Sequence, residues 1–225
     1  MNIGFHIITN FSRPDKALVE KFRGIPAANL DDQMNRLYSM DSGIRPYNKT
    51  PLCGTAFTVK APAGDNLMFH KALDMAQEGD IIVVSGVCGG ERAFSGEIMA
   101  HYAMYRKLGG FVIDGYIRDA EGIAALPFPV YARGVQPNGP LKNGPGEINV
   151  PVSVGGQVVF PGDILVGDQD GVVVIRPEVA EQVLAAATAL EENEKKKMEA
   201  LDRGENALNR AWIAKALAEH NCTIE

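Results

Sequence analysis

Residues 81–115 decide the fold: Ile81-Ile82-Val83-Val84, an apolar helical stretch from about Gly96 to Leu108, then Gly109-Gly110 and Phe111-Val112-Ile113-Asp114-Gly115. Four consecutive β-branched residues with no polar alternation fit a strand covered on both faces. The second apolar run follows a helix, and the span between the runs is long enough for a crossover joining parallel neighbours. Loops of such units leave at the carboxyl ends of the strands, the edge where α/β proteins hold ligands.

Upstream, Thr55 to Lys60 alternate as a strand and Pro62 and Gly64 end it. Asp65 is placed to cap a helix in which Leu67, Met68, Ala72, Leu73 and Ala76 recur at helical spacing. Residues 1–53 are expected to form an N-terminal helical arm, with short amphipathic segments at 15–22 and 29–38. Downstream, Pro129 to Ala132 is a short apolar segment before a Gly/Pro-rich loop, Arg133 to Pro145. Gly155-Gly156 between Val150–Val154 and Gln157–Phe160 signals a tight hairpin. Asp163–Val166 and Gly171–Ile175 supply two more strands around Asp168-Gln169-Asp170, and helices follow at 178–201 and 206–219. The expected organisation is an α/β core over 54–177 with C-terminal helices over 178–225, all in a single structural domain of layered sheets and helices.

The net charge of −6 leaves no basic excess to neutralise a phosphate backbone, which argues against nucleic acid as a partner. The three cysteines, Cys53, Cys88 and Cys222, are far apart and odd in number, so neither a disulfide framework nor a zinc knuckle is expected. No run approaches the roughly 18 apolar residues of a membrane span, and the N-terminus has no basic segment followed by an apolar one. A soluble cytoplasmic protein is expected.

Arg118-Asp119 follows the apolar strand that ends at Gly115, where a loop can aim both side chains into one cavity. A carboxylate is a hard ligand for magnesium or manganese, and a guanidinium grips a carboxylate through two parallel hydrogen bonds. Adjacent Arg and Asp are also, by themselves, an ordinary solvated pair. Gly96-Glu97-Ile98-Met99 opens the preceding helix, and first-turn N–H groups attract anions; Glu97 alone is equally explained as a favourable charge at a helix start. Gly86-Val87-Cys88-Gly89-Gly90 follows a strand but matches neither a phosphate loop nor a dinucleotide fingerprint, and Cys88 reads as a small buried hydrophobe. His6, His70, His101 and His220 are scattered and read as surface or core residues. Ser85 and Ser95 have no activating His or Lys pattern. Lys142 is a possible substrate contact whose default is exposure, and the 191–197 charge run is a solvated helical face.

Several segments together resemble the RraA-like family: Gly96 to Met99, Asp114 to Asp119, Ala132 to Pro140, Pro145 to Val152, and Gly162-Asp163 through Asp168-Gln169-Asp170-Gly171-Val172. That family includes class II aldolases acting on 4-hydroxy-4-methyl-2-oxoglutarate and 4-carboxy-4-hydroxy-2-oxoadipate, with side activity on oxaloacetate. The resemblance implies a swivelling β/β/α-type fold, a homotrimer or dimer of trimers, and a site between subunits. It implies that Arg118 contacts a small 2-oxo acid and that Asp119 anchors Mg2+ or Mn2+. The Gly96–Met99 segment would supply backbone amides, Glu97 would reach the metal through water, and Glu194 of a neighbouring subunit would do the same. The family also contains protein-binding inhibitors of ribonuclease E, which lack the Asp after the Arg; Asp119 therefore favours the enzyme.

Overall fold

Alternate residues of the central strands point to opposite faces, and this sets the layers. The computed structural model describes residues 3–86 and 92–223. In chain order come β1 (Phe5–Ile7), α1 (Lys16–Glu20), α2 (Ala27–Asp32), β2 (Arg45–Pro46), β3 (Leu52–Lys60), α3 (Leu67–Met75), β4 (Asp80–Ser85), β5 (Ala93–Ser95), α4 (Glu97–Tyr105), β6 (Gly110–Ile117), α5 (Ala120–Ala125) and β7 (Val130–Val135). There follow β8 (Gly146–Ile148), β9 (Val152–Val154), β10 (Gln157–Val159), β11 (Ile164–Gly167), β12 (Val172–Ile175), α6 (Ala180–Asp202) and α7 (Ala211–Glu219).

The strands β3, β4, β6 and β7 lie side by side and parallel, with Val83 opposite Thr58 on one side and Val112 on the other. The full order is β1-β8-β3-β4-β6-β7-β2, with β11 also on β3, β12 on β11, and β5 beside β6. Ile82, Val84, Phe111 and Ile113 pack with Phe69, Ala72, Ala100, Ala103 and Ile123 from α3, α4 and α5. Their neighbours Ile81, Val83 and Val112 pack instead with Val152, Val154, Val159, Val172 and Val174. Helices thus cover one face and strands the other, the layered β/β/α arrangement expected, and this is why the central strands carry no polar alternation.

Phe22 and Leu30 of the N-terminal segment pack with Ile164, Val173 and Ile175, and Ala180, Val183 and Ala187 of α6 join them. The expected hairpin is β9–β10, with Gly155 and Gly156 at φ +55 and +76, the primed-turn region open to glycine. Three short strands, β1, β5 and β8, escape the sequence pattern because three residues are too few to show a period of two. The first 50 residues, expected to be helical, also hold β1 and β2, and the second helix stops at Asp32 before Asn35 and Arg36 take φ of 58 and 60.

The chain forms two compact units, Met1–Ala187 and Thr188–Glu225, with the division inside α6. The second unit holds the rest of α6, a turn at Gly204 with φ +79, and α7. Among the described residues no helix is long and apolar enough to cross a membrane.

Candidate active site

The site begins where β6 ends. Arg118 N–H donates to Ser95 O at 2.9 Å, so the backbone is still held by β5 as it leaves the sheet. Asp119 then adopts φ 58, ψ 42, a left-handed conformation that costs most L residues roughly 1 kcal/mol and Asp somewhat less. This turn brings its carboxylate to the start of α4, where Oδ2 accepts the Glu97 N–H at 3.2 Å. Arg118 Nε lies 3.7 Å from the same oxygen, and both side chains remain 44% exposed. Asp119 therefore has a structural task, capping α4, while the pair remains partly exposed as a carboxylate beside a guanidinium.

Gly96 makes this approach possible. Its backbone is extended, with φ −147 and ψ −173, so no special dihedral requires glycine. The requirement is space: a methyl there would overlap Asp119 Oδ2 and lie 3.0 Å from Arg118 Cγ. Gly96→Ala is expected to lower turnover about 100-fold, the scale of a 1 Å displacement of reacting groups, while leaving the far-ultraviolet circular dichroism unchanged. Turnover within threefold of the parent would show that this close approach is not used.

Arg118 and Asp119 line a cavity of about 300 Å³ with Gly96, Ile98, Met99, Asn66, His70, Gly139, Pro140 and Lys142 among its walls. Ile98, 81% exposed, is a second-position residue of α4 whose N–H has no acceptor within the helix, whereas the Met99 N–H donates to Gly96 O at 3.1 Å. Glu97 does not line the cavity. Its carboxylate lies against Gly122 of α5, where a methyl would overlap it, and His101 Nε2 is 3.6 Å from Oε1. Glu194 is carried by α6 within the second unit.

Two residues in this wall escape the sequence reading. Asn66, the N-cap of α3, and His70, four positions on within its first turns, both line the cavity. Asn66 is 1% exposed; its amide donates to Phe94 O at 2.8 Å, and its buried Oδ1 has no hydrogen-bond partner among the described residues. Burial holds the His70 imidazole below its ordinary pKa, and the nearby Lys142 charge adds to this while Asp74 opposes it. Histidines scattered in sequence thus include one in the cavity and one beside Glu97. The i, i+4 spacing of Asn66 and His70 was the available signal, but nothing local connects it to Arg118. Lys142 reaches the cavity from the Gly/Pro-rich loop. Ser95 lines it too, with Oγ placed only 3.5 Å from Gly96 O, and Cys88 lies outside the described residues. No cluster of three or more His, Cys, Asp or Glu suited to a metal occurs among the described residues.

The comparisons with known proteins agree with this architecture. The family model RraA-like, described as Aldolase/RraA, matches residues 27–174. A protein of Halalkalibacterium halodurans named "Putative 4-hydroxy-4-methyl-2-oxoglutarate aldolase" is 36% identical over 207 residues, 92% of this chain and 98% of that protein. Among solved structures, an uncharacterised protein from Pseudomonas syringae pv. tomato aligns with TM-score 0.75 and 27% identity, covering 87% of this chain and 96% of its own. Streptomyces coelicolor RraAS2, titled an unusual member of the RNase ES inhibitor RraA protein family, aligns with TM-score 0.74 and 26% identity over 84% of this chain and 99% of its own. With the family model spanning more than half of the sequence and a relative of this identity covered almost end to end, the chain belongs to the RraA-like family.

Proposed function

We propose that the protein is a divalent-metal-dependent lyase that cleaves 4-hydroxy-2-oxo diacids, 4-hydroxy-4-methyl-2-oxoglutarate or 4-carboxy-4-hydroxy-2-oxoadipate, to pyruvate and a second 2-oxo acid. The observation that carries this reading is Asp119: present after Arg118, turned by its left-handed backbone beside the guanidinium, and exposed to the cavity. One carboxylate with a more distant Glu97 suits Mg2+ or Mn2+, which keep several waters and need only one or two protein carboxylates; the lack of a three-ligand cluster among the described residues is compatible with such a site. Asp119 would hold the metal, with Glu97 and a neighbouring subunit's Glu194 acting through water. When bound, the metal supplies Lewis-acid stabilisation of the 2-oxo group.

The chain's own residues do the rest. Arg118 binds the 1-carboxylate and 2-oxo oxygen, and the Ile98 N–H at the start of α4 adds a donor. The 4-hydroxyl loses its proton through water to Glu97, which stands outside the cavity lining. The C3–C4 bond breaks as the new carbonyl forms, the electron pair passes to the pyruvate fragment as an enolate, and C3 then takes a proton from water to give pyruvate. Arg118 faces that developing charge. In the same cavity Lys142 provides a cation and His70 an imidazole, groups suited to a second carboxylate. Decarboxylation of oxaloacetate develops the same enolate charge and is expected as a side activity.

A homotrimer or dimer of trimers with the site between subunits belongs to the same reading. Its support is the exposed stripe Ile98, Tyr102 and Tyr105 on α4, 81%, 39% and 81% exposed, running from the cavity at helical spacing. The second reading is a protein-binding regulator of ribonuclease E, favoured by the likeness to RraAS2 and disfavoured by Asp119. Pyruvate release from both diacids and from oxaloacetate, with Mg2+ or Mn2+ and with EDTA, separates the two. Release that EDTA abolishes and added metal restores is expected. Absence of release from every substrate with either metal, together with capture of ribonuclease subunits, would replace the enzyme with the regulator.

A further inference from the structure

The cavity has one wall made by a helix and another made by a loop, and a single buried carboxylate joins them. Asp65 is 4% exposed. Its Oδ1 accepts the Leu67 N–H at 3.0 Å at the start of α3. Its Oδ2 accepts the N–H groups of Asn143 at 2.7 Å and Gly144 at 3.0 Å, across the chain. Backbone bonds run alongside, from Asn66 N–H to Leu141 O at 3.0 Å and from Leu141 N–H to Gly64 O at 2.8 Å. At the other end of the loop, Arg92 Nη1 donates to Gly139 O at 2.8 Å and Asn138 Oδ1 at 3.1 Å, and a methyl at Gly139 would lie 3.1 Å from Arg118 Nη1. The loop from 138 to 144 is thus a strap pinned at both ends, close over Arg118 at one point and carrying Lys142 at another.

We propose that Asp65 is a positioning residue for this site: its carboxylate fixes the strap, and with it the Lys142 ammonium, opposite the cavity wall formed by Asn66 and His70. The use of that wall to bind substrate rests on the aldolase reading; the placement of Lys142 does not. A carboxyl group suits this task because its two oxygens accept N–H groups on two sides at once. An amide offers only one acceptor oxygen, so it serves either α3 or the strap.

Two readouts test this. The first is the His70 imidazole titration followed by NMR and assigned by its loss in His70→Gln. Because burial and Lys142 hold His70 below its ordinary range, Asp65→Asn should move its midpoint upward as the strap opens. Lys142→Met should also move it upward, and the double variant should fall short of the sum of the two, because both act through one contact. The second is pyruvate release, in which Asp65→Asn should raise KM roughly tenfold with kcat within about threefold, the signature of lost binding that does not favour the transition state. An unchanged His70 midpoint in Asp65→Asn, or fully additive shifts in the double variant, would overturn the proposal. Should Asp65→Asn fail to fold, Asn143→Pro deletes one cross-strap donor and leaves the Asp65–Leu67 bond intact; the same upward movement is expected, and its absence is equally decisive. The NMR titration needs no turnover, so a parent protein that releases no pyruvate removes the aldolase reading while the strap is still judged.

Discussion

Asp119→Ala is expected to lower metal-dependent pyruvate release by roughly 100-fold or more, a loss of about 2.7 kcal/mol or more of transition-state stabilisation. The substitution removes two things at once: the proposed metal anchor and the acceptor of the Glu97 N–H at 3.2 Å. Loss of a helix cap costs about 0.5–2 kcal/mol of stability, so the alanine variant alone confuses the two. Asp119→Asn separates them. Asn tolerates the left-handed backbone and keeps an oxygen for the Glu97 N–H, but it brings no negative charge. Thermal stability close to the parent with turnover still down roughly 100-fold is the expected result. If Asp119→Asn turns over at near-parent rate with the same metal requirement, Asp119 caps α4 and does not hold the metal.

The largest effect on stability is expected from Phe111→Ala. Phe111 is fully buried in the layer between the sheet and its helices. Its ring meets Phe69 of α3 edge-on at 5.0 Å and Phe128, just before β7, at 4.9 Å between centroids. Truncation removes buried area, two edge-to-face contacts and the packing on both neighbours, for about 3–5 kcal/mol. For a unit of this size that corresponds to a fall in Tm of roughly 10 °C. Denaturant unfolding followed by circular dichroism measures it, and a shift below about 1 kcal/mol would mean that the surrounding helices collapse into the space.

The central strands were readable because burial on both faces writes itself into composition: Ile81 to Val84 and Phe111 to Ile113 are apolar throughout. The hairpin at Gly155-Gly156 and the helix after Asp65 were equally local, since turn chemistry and helical spacing act over a few residues. The three-residue strands β1, β5 and β8 were not, because their pairing is set by partners far along the chain. Phe5 lies opposite Gly146 and Ala93 opposite Tyr116, and no periodicity within three residues reports such a partner. Position after a strand and at a helix start made Arg118, Asp119 and the Gly96–Met99 segment candidates, and the family resemblance raised them above a solvated pair and an ordinary helix start. In the structure Gly96, Ile98, Met99, Arg118 and Asp119 line one cavity. The direction of the Glu97 carboxylate, away from the cavity lining and towards Gly122, depends on α5 and was not legible in the sequence.

By itself, then, the sequence determined the α/β character and the runs that become the central strands, since each follows from interactions within a few residues; the Arg-Asp pair stood out from an ordinary solvated pair only through the family resemblance. Only the tertiary structure decided that Asn66, His70 and Lys142 share a cavity with that pair, and that Asp65 joins the helix to the strap. It also showed why Gly96 must be glycine: Asp119 is 23 positions away in the chain, and only the crossover that sets α4 beside β6 brings its carboxylate onto Gly96.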